Sequence, residues 1–449
     1  MLDKKIRKIY MIGIKGTGMS SLAVLLKNIG YQITGSDTSE KFFTEDQLIK
    51  NNIKYYENFN PSHINVTKPD IIIVSTAYNE RNLEVSRAKI LKIPIATYPE
   101  IVGSLSKKFN SIGICGSHGK TTTTSMLGLV MKSNERTITL TGTIAEFLNS
   151  KVKNPKFFIF EADEYQDKFQ YYQPLNIILT NVDFDHPDFF KNDKHYFSVF
   201  YRLVSKILKN GGFILFNYDN KNACRIFKTM NGNFSSYGFH KDSDFIITQV
   251  NSDLNQFSIL KRNKKFLDIK LSVYGKHNIL NAAASAIMAY RLGIKKEQIK
   301  KTLKQFYGIK RRMEKINNNN YIIIDDYGHH PTEIVATLAA LRNKYYDKYI
   351  VTVFHPHTFS RTKTFVKDFG RSFKNSDLTI VLNIYPSARE TSGNIHATNL
   401  VKEIGQNKCK AIYMATINDA AEYIKNNVDK NSVILTIGAG DVWKIHKLL

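Results

Sequence analysis

The chain lacks most of the features of an exported, membrane-bound or metal-clustered protein. It has only three cysteines (Cys115, Cys224, Cys409) in 449 residues and no Cys-x-x-Cys, which excludes a disulfide scaffold and fits a reducing, cytoplasmic setting. No apolar run reaches about 18 residues, so no membrane insertion is expected. The apolar stretch Ile9–Ile14 is short and ends at Lys15, which reads as a strand rather than a signal peptide. There are no internal repeats, and no low-complexity segment beyond the Asn317–Asn320 turn. Acidic residues are scarce as well: 39 Asp and Glu against 64 Lys and Arg leave a formal net charge of +25. The lysines are scattered amid Ile, Asn, Tyr and Phe with no dense block, so no nucleic-acid partner is expected. Such a charge would still draw polyanionic small substrates.

What is present begins with residues 113–124, Gly-Ile-Cys-Gly-Ser-His-Gly-Lys-Thr-Thr-Thr-Thr. An apolar run (Phe109–Cys115) feeds a small-residue loop, then Lys120, a threonine run and a helical apolar pattern. This is strand, loop and helix N-terminus, a cradle for polyphosphate. The loop N–H groups of Gly116, Ser117, His118 and Gly119, the helix dipole and the Lys120 ammonium all favour anionic oxygen. The Thr121 hydroxyl is placed to ligate the Mg²⁺ that accompanies ATP, with Thr122 beside it. The strict phosphate-loop pattern wants glycine at position 114, where Ile114 stands.

Strand and helix signals alternate along the whole chain, the rhythm of parallel sheets with crossover helices. Strands are expected at Ile6–Ile14, Tyr31–Ser36 and Asp70–Ser75, with a helix from Ser20 to Ile29 opened by Ser20 and Ser21. Charge and turn residues at Lys107–Asn110 suggest one boundary and Tyr307–Arg312 another. In the last block, helices are expected at Phe365–Ser372 and Asp441–Leu449. The fold class is therefore α/β with three domains. Residues 1–107 form a Rossmann-like domain, 108–309 a central P-loop ATPase domain with a mostly parallel sheet, and 310–449 a Rossmann-like α/β domain.

Further clusters carry chemistry. Gly13-Ile-Lys-Gly-Thr-Gly-Met-Ser20 resembles a dinucleotide fingerprint, but Lys15 stands where the second glycine belongs. It reads as a nucleotide-diphosphate site, with Asp37 placed for a ribose or base, rather than a nicotinamide site. Glu161-Ala-Asp-Glu164 ends a strand and offers a Mg²⁺ carboxylate, Glu161 first and Glu164 second. Asp183-Phe-Asp-His-Pro-Asp188 ends the next strand, where α/β sheets bind ligands. Asn278 and Asn281 share a helix face and read either as an adenine contact or, for Asn278, as a helix cap. His329, His330, His355 and His357 have no metal-protease spacing and no cysteine beside them. Substrate carboxylate recognition by Arg361 is the better reading there.

These motifs, in this order, resemble the Mur ligase family, ATP-dependent amide-bond-forming enzymes of peptidoglycan synthesis. The resemblance spans nearly the whole chain: Gly-x-x-Gly-x-Gly-Met-Ser, Gly-Ser-His-Gly-Lys-Thr-Thr, Glu-Ala-Asp-Glu, Asp-His-Pro-Asp, His-Asn-x-x-Asn, Arg-Arg-Met-Glu, Asp-Asp-Tyr-Gly-His-His-Pro-Thr-Glu and Pro-His-Thr-Phe-Ser-Arg-Thr. Asp-Asp-Tyr-Gly-His-His-Pro is similar to the alanine-adding branch. The resemblance implies UDP-N-acetylmuramate and L-alanine as substrates, activation of the lactyl carboxylate as an acylphosphate, and a monomer or weak homodimer. It implies a UDP-sugar site in the first domain around Gly16, Thr17, Gly18, Met19, Ser20, Asp37 and Ser75. Lys120 and Thr121 would hold triphosphate and Mg²⁺, and Glu161 and His186 would join Thr121 on the metal. Asn278 and Asn281 would meet adenine, Asp326 the ribose and Arg312 the phosphates. Tyr327, His329 and Arg361 would line the amino-acid pocket, with Lys120, His186, His329 and Arg361 as the catalytic set and His329 as candidate base. Many relatives carry arginine where Thr358 stands. The alternatives are a recycling ligase that adds a tripeptide to the same UDP-sugar and, from another class, a nicotinamide oxidoreductase.

Overall fold

The computed structural model describes residues 5–143, 148, 151–251, 255–386 and 390–449. Residues 1–4 lie outside them. Strands β1 (Lys8–Ile12), β2 (Gln32–Ser36), β3 (Lys54–Tyr56), β4 (Ile71–Val74) and β5 (Ile95–Thr97) form a first sheet in the order β3-β2-β1-β4-β5. Every pair in it is parallel.

The second sheet contains β6 (Asn110–Cys115), β7 (Thr137–Leu140), β8 (Phe157–Glu161), β9 (Asn176–Leu179), β10 (Phe213–Asn217), β11 (Phe234–Gly238), β12 (Phe245–Asn251), β13 (Gln256–Lys261) and β14 (Lys264–Lys270). Its order is β14-β13-β12-β11-β10-β9-β6-β8-β7. Only the β12-β13-β14 end is antiparallel. The third sheet has β15 (Glu314–Ile316), β16 (Ile322–Asp326), β17 (Ile350–Phe354), β18 (Leu378–Val381), β19 (Ala411–Tyr413) and β20 (Val433–Ile437), in the order β15-β16-β20-β17-β18-β19. There β15 alone runs antiparallel.

Parallel sheets are covered by helices on both faces, so their central strands are continuous apolar runs. β4 (Ile-Ile-Ile-Val), β9 (Asn-Ile-Ile-Leu) and β20 (Val-Ile-Leu-Thr-Ile) are buried throughout. In the middle unit, helices Lys120–Met131 and Lys276–Arg291 pack together. The fully buried Ala282, Ala283 and Ala284 leave room for close approach of the two backbones. The Ser285 hydroxyl ties them further by donating to the Thr123 carbonyl at 3.2 Å. This contact fixes the phosphate-loop helix against the helix that carries Asn278 and Asn281.

Several local expectations differ. The first helix spans Thr17–Asn28, so it starts ahead of Ser20 and Ser21, and Gly16 caps it without a side chain. The Ser20 hydroxyl is buried, donates to Thr17 O at 3.2 Å and accepts from Gln47 Nε2 at 2.6 Å. Lys107 and Lys108, expected only as charge and turn residues, occupy the last turn of a helix, Tyr98–Lys108, and favour its dipole. Phe365–Ser372 is preceded by a separate helix, Phe359–Thr364. The C-terminus holds a 3₁₀ turn, Val442–Lys447, instead of a longer helix.

Candidate active site

The phosphate loop leaves β6 at Cys115, and the helix begins at Lys120 with Gly119 as its cap. Ile114 is tolerated because the chain is still strand there: it is buried and pairs with Glu161 on β8 and Ile178 on β9. Two glycines are required. Gly116 (φ +134°) and Gly119 (φ +79°) sit in conformations that L side chains rarely adopt. A Cβ at Gly116 would lie 2.1 Å from Thr180 Oγ1, and one at Gly119 would lie 2.7 Å from Asn281 Oδ1. β6 lies between β9 and β8, where the strand order reverses, so the loop opens at the switch point that α/β sheets use for ligands.

Two cavities meet at this loop. The first, 340 Å³, brings together His118, Gly119, Thr122, Asn278, Asn281, Arg312 and Asp326. Asn278 does not cap its helix; Gly275 does, and the Asn278 amide donates to Tyr274 O at 2.7 Å. Asn281 Oδ1 accepts from Thr123 Oγ1 at 3.1 Å. The second cavity, 410 Å³, gathers Ser117, Lys120, Thr121, Glu161, His186, Tyr327, His329 and Arg361, with Thr358, His357 and Glu333. Glu333, Gly119 and Arg312 line both cavities.

The Lys120 ammonium donates to Gly116 O at 2.5 Å and pairs with Glu164 at 3.0 Å. Burial alone would lower its pKa, but Glu164, Asp163 and Glu161 reverse that and raise it, so it stays charged. The Thr121 hydroxyl donates to both oxygens of Glu161 at 3.0 Å, and Arg312 Nη2 donates to Thr121 Oγ1 at 3.3 Å. Gly142 N–H donates to Glu161 at 2.8 Å. Thr121 and Glu161 form an all-oxygen pair suited to a hard divalent cation. His186, at φ +56°, faces a different set: it groups with Asp163 and Glu164 within 4.8 Å. Those two carboxylates already pair with Lys168 and Lys120, so the residues fit Mg²⁺ better at the Thr121–Glu161 side.

Third-sheet residues close the second cavity. Tyr327 stacks under the guanidiniums of Arg311 and Arg312 at 5.0 and 5.2 Å. His329 Nδ1 lies 3.1 Å from Tyr327 O. Burial and the neighbouring Arg361 push the His329 pKa down to about 4, which keeps the ring neutral but makes it a weak base. Arg361 does not project free into the cavity: it donates to Asp185 Oδ1 and its Nη1 lies 3.2 Å from His357 Nδ1. Burial raises Asp326 to about 6, with Arg312 and the Gly328 amide opposing that rise.

The N-terminal candidates sit apart from both cavities. Asp37 is buried, and its oxygens accept from Lys15 N at 2.7 Å, Thr38 N at 2.8 Å and Tyr78 Oη at 3.1 Å. Met19 is buried in the first core. Gly18 lies against the Tyr98 ring, Ser75 stands beside Gly13, and Thr17 opens the helix capped by Gly16. Lys15 is fully buried; its ammonium donates to Thr38 O (2.9 Å) and Glu40 O (3.0 Å) and pairs with Glu45 (3.1 Å) and Glu57 (3.2 Å). A lysine is accommodated at this glycine turn because its head group turns inward. Sequence reasoning did not single out Glu333 or Asp185 as site residues. Their signals were a helix-capping Glu after His-His-Pro-Thr and one carboxylate among three.

The chain matches three family descriptions in order: "Mur ligase family, catalytic domain" over residues 8–110, "Mur ligase middle domain" over 114–289, and "Mur ligase, glutamate ligase domain" over 311–440. It is 36% identical to a UDP-N-acetylmuramate–L-alanine ligase of Desulfitobacterium hafniense, over 98% of this chain and 99% of that one. A solved UDP-N-acetylmuramate–alanine ligase from Thermotoga maritima superposes with a TM-score of 0.81 at 25% identity, covering 98% of this chain and 97% of the other. A murein peptide ligase from Psychrobacter arcticus shares the fold at a TM-score of 0.72 and 22% identity, with 98% and 97% covered. The phosphate loop, the two adjoining cavities and these full-length matches lead to one assignment: the chain belongs to the Mur ligase family.

Proposed function

We propose that this chain is an ATP-dependent ligase that joins L-alanine to the lactyl carboxylate of UDP-N-acetylmuramate in peptidoglycan synthesis. A carboxylate is a poor acyl donor because its leaving group is poor. Transfer of the ATP γ-phosphoryl group to it makes an acylphosphate, and the alanine amine then displaces phosphate. One observation carries the reading: the phosphate loop of the middle unit and the Tyr327–His329 segment of the third unit line one cavity. Donor phosphate and acceptor amine can therefore meet there. Relatives with the alanine-adding name match end to end, which favours L-alanine over a tripeptide. The buried, fully occupied Lys15 leaves the nicotinamide alternative without its glycine fingerprint.

Lys120 and Arg312 neutralise charge that develops on the transferred group. Thr121 and Glu161 would hold Mg²⁺, which supplies charge neutralisation at the phosphates when bound. Asn278, Asn281 and Asp326 would hold the nucleoside in the first cavity. Tyr327 and His329 orient the amino acid, and His329, neutral but weakly basic, is the candidate acceptor of the ammonium proton. The UDP-sugar would enter from the first sheet at Gly16–Ser20. No helix among the described residues is long and apolar enough to cross a membrane, and a cytoplasmic location fits substrates of this kind.

The test is ADP release with UDP-N-acetylmuramate and a panel of L-alanine, glycine, L-serine and a murein tripeptide. The expected result is turnover that needs both UDP-sugar and amino acid and is fastest with L-alanine. Preference for the tripeptide, or release independent of the UDP-sugar, would overturn the reading.

A further inference from the structure

We infer that Glu333 is a positioning residue that joins the phosphate loop of the middle unit to the amino-acid-binding segment of the third, through His118. The inference rests on the ligase reading above and assigns a role that reading does not contain.

Glu333 sits in the first turn of helix Pro331–Lys344. One of its oxygens, Oε2, accepts from the backbone N–H groups of His329 at 2.9 Å and His330 at 3.2 Å. That is the capping-box duty expected of Glu at this position. The second oxygen is not needed for the cap. It lies 3.2 Å from Nδ1 of His118, inside the phosphate loop. One carboxylate therefore holds the segment bearing His329 and the loop bearing Lys120.

His118 has few other ways to be held. Its ring stacks obliquely on His330 with centroids 4.6 Å apart, and its buried Nε2 makes no hydrogen bond, with Asp183 Oδ2 at the longer distance of 3.9 Å. Its backbone is fixed on both sides: N–H donates to Asn181 Oδ1 at 2.9 Å, and O accepts from Thr180 Oγ1 at 2.6 Å. A force on the ring is thus transmitted to the loop backbone. Burial disfavours a charged His118, yet the facing Glu333, joined by Asp183 and Asp185, outweighs it and raises its pKa. Glu333 also lies in the wall shared by both cavities. A group that lines both sites and bonds to a loop from each can couple their geometries.

Three variants separate positioning from capping. Glu333→Gln keeps the shape and the cap, since Gln also serves at this helix position. Glu333→Ala removes both functions, and His118→Asn removes the far partner, together with its ring contact to His330, while leaving the cap intact. The expected result for Glu333→Gln is an unchanged Tm, a kcat at least about tenfold lower, and a KM for ATP changed less than the kcat. His118→Asn should match it, and the double variant Glu333→Gln/His118→Asn should be no worse than either single one. Full kinetics in Glu333→Gln with lost Tm only in Glu333→Ala would reduce Glu333 to a cap and overturn the inference. Additive losses in the double variant would overturn it too. Failure of the ligase reading would show differently, as no ADP release by the unaltered chain.

Discussion

Arg361 and Asp185 are joined across the boundary between the middle and third sheets: Nε and Nη2 both reach Asp185 Oδ1, at 2.9 and 2.8 Å. Both side chains are buried, and the same carboxylate oxygen accepts the His186 N–H at 2.7 Å. Burial disfavours an ionised Asp185, but Arg361 and the nearby histidines hold its pKa well below the usual carboxylate range. The guanidinium expected to bind the amino-acid carboxylate is thus already committed to the protein. An incoming carboxylate must share it with Asp185.

Breaking that pair should weaken the assembly of the two units. Asp185→Asn or Arg361→Gln leaves a buried charge without its counter-ion, a cost on the order of 3–5 kcal/mol. The double variant should be milder than the sum. Urea unfolding of the four chains checks this; additive losses would show that the pair is not coupled.

Lys120→Ala should cut the rate of ADP release by on the order of 10²–10³-fold, because the ammonium acts where phosphoryl charge develops. Its Tm should fall as well, because the buried Glu164 loses its counter-ion and keeps only the neutral Tyr196 Oη as a donor at 3.0 Å, so the rate is read below the unfolding transition. Near-normal turnover in steady-state assays would contradict the placement of ATP at this loop.

Asp326 gives a pH dependence of known sign. Its folded pKa, about 6, lies above the unfolded value of 3.8, so the native state holds this proton more tightly. The stability it contributes is full below about pH 3.8 and is lost as pH rises through about 6. The ionised form is the one that accepts a ribose hydroxyl. KM for ATP should therefore climb as pH falls from 7 to 5 in the unaltered chain, and Asp326→Asn should remove that dependence. Parallel curves for the two chains would exclude Asp326 from nucleotide binding.

Thr358 sits at φ +64°, ψ 143°, a strained conformation for a β-branched residue, and its buried hydroxyl has no partner. Thr358→Gly should relieve that strain, with a net gain of about 1 kcal/mol after the entropy lost by glycine. Thermal unfolding measures it; a fall in Tm would mean that the hydroxyl or methyl contributes more than the strain costs.

Glycines and apolar runs made the middle unit legible in advance. The apolar run Phe109–Cys115 was read as the strand that feeds the loop and β6 spans Asn110–Cys115, because strands buried on both faces are written as unbroken apolar runs. Lys107 and Lys108 read in the sequence only as charge before a turn, and the structure adds their physical role: positive charge in the last turn favours a helix C-terminus. Of the two readings open for Asn278, the cap is excluded because Gly275 takes that place at φ +100°.

Local chemistry in the chain was enough to determine the phosphate cradle, the α/β alternation and the family, because each depends on residues close together in sequence. Tertiary packing alone decided which charges meet. Arg361 was free to serve substrate until folding set it against Asp185, and Glu333 was a helix cap until folding set His118 beside it. Pairings between units depend on how three sheets come to rest against one another, and no short-range pattern encodes that.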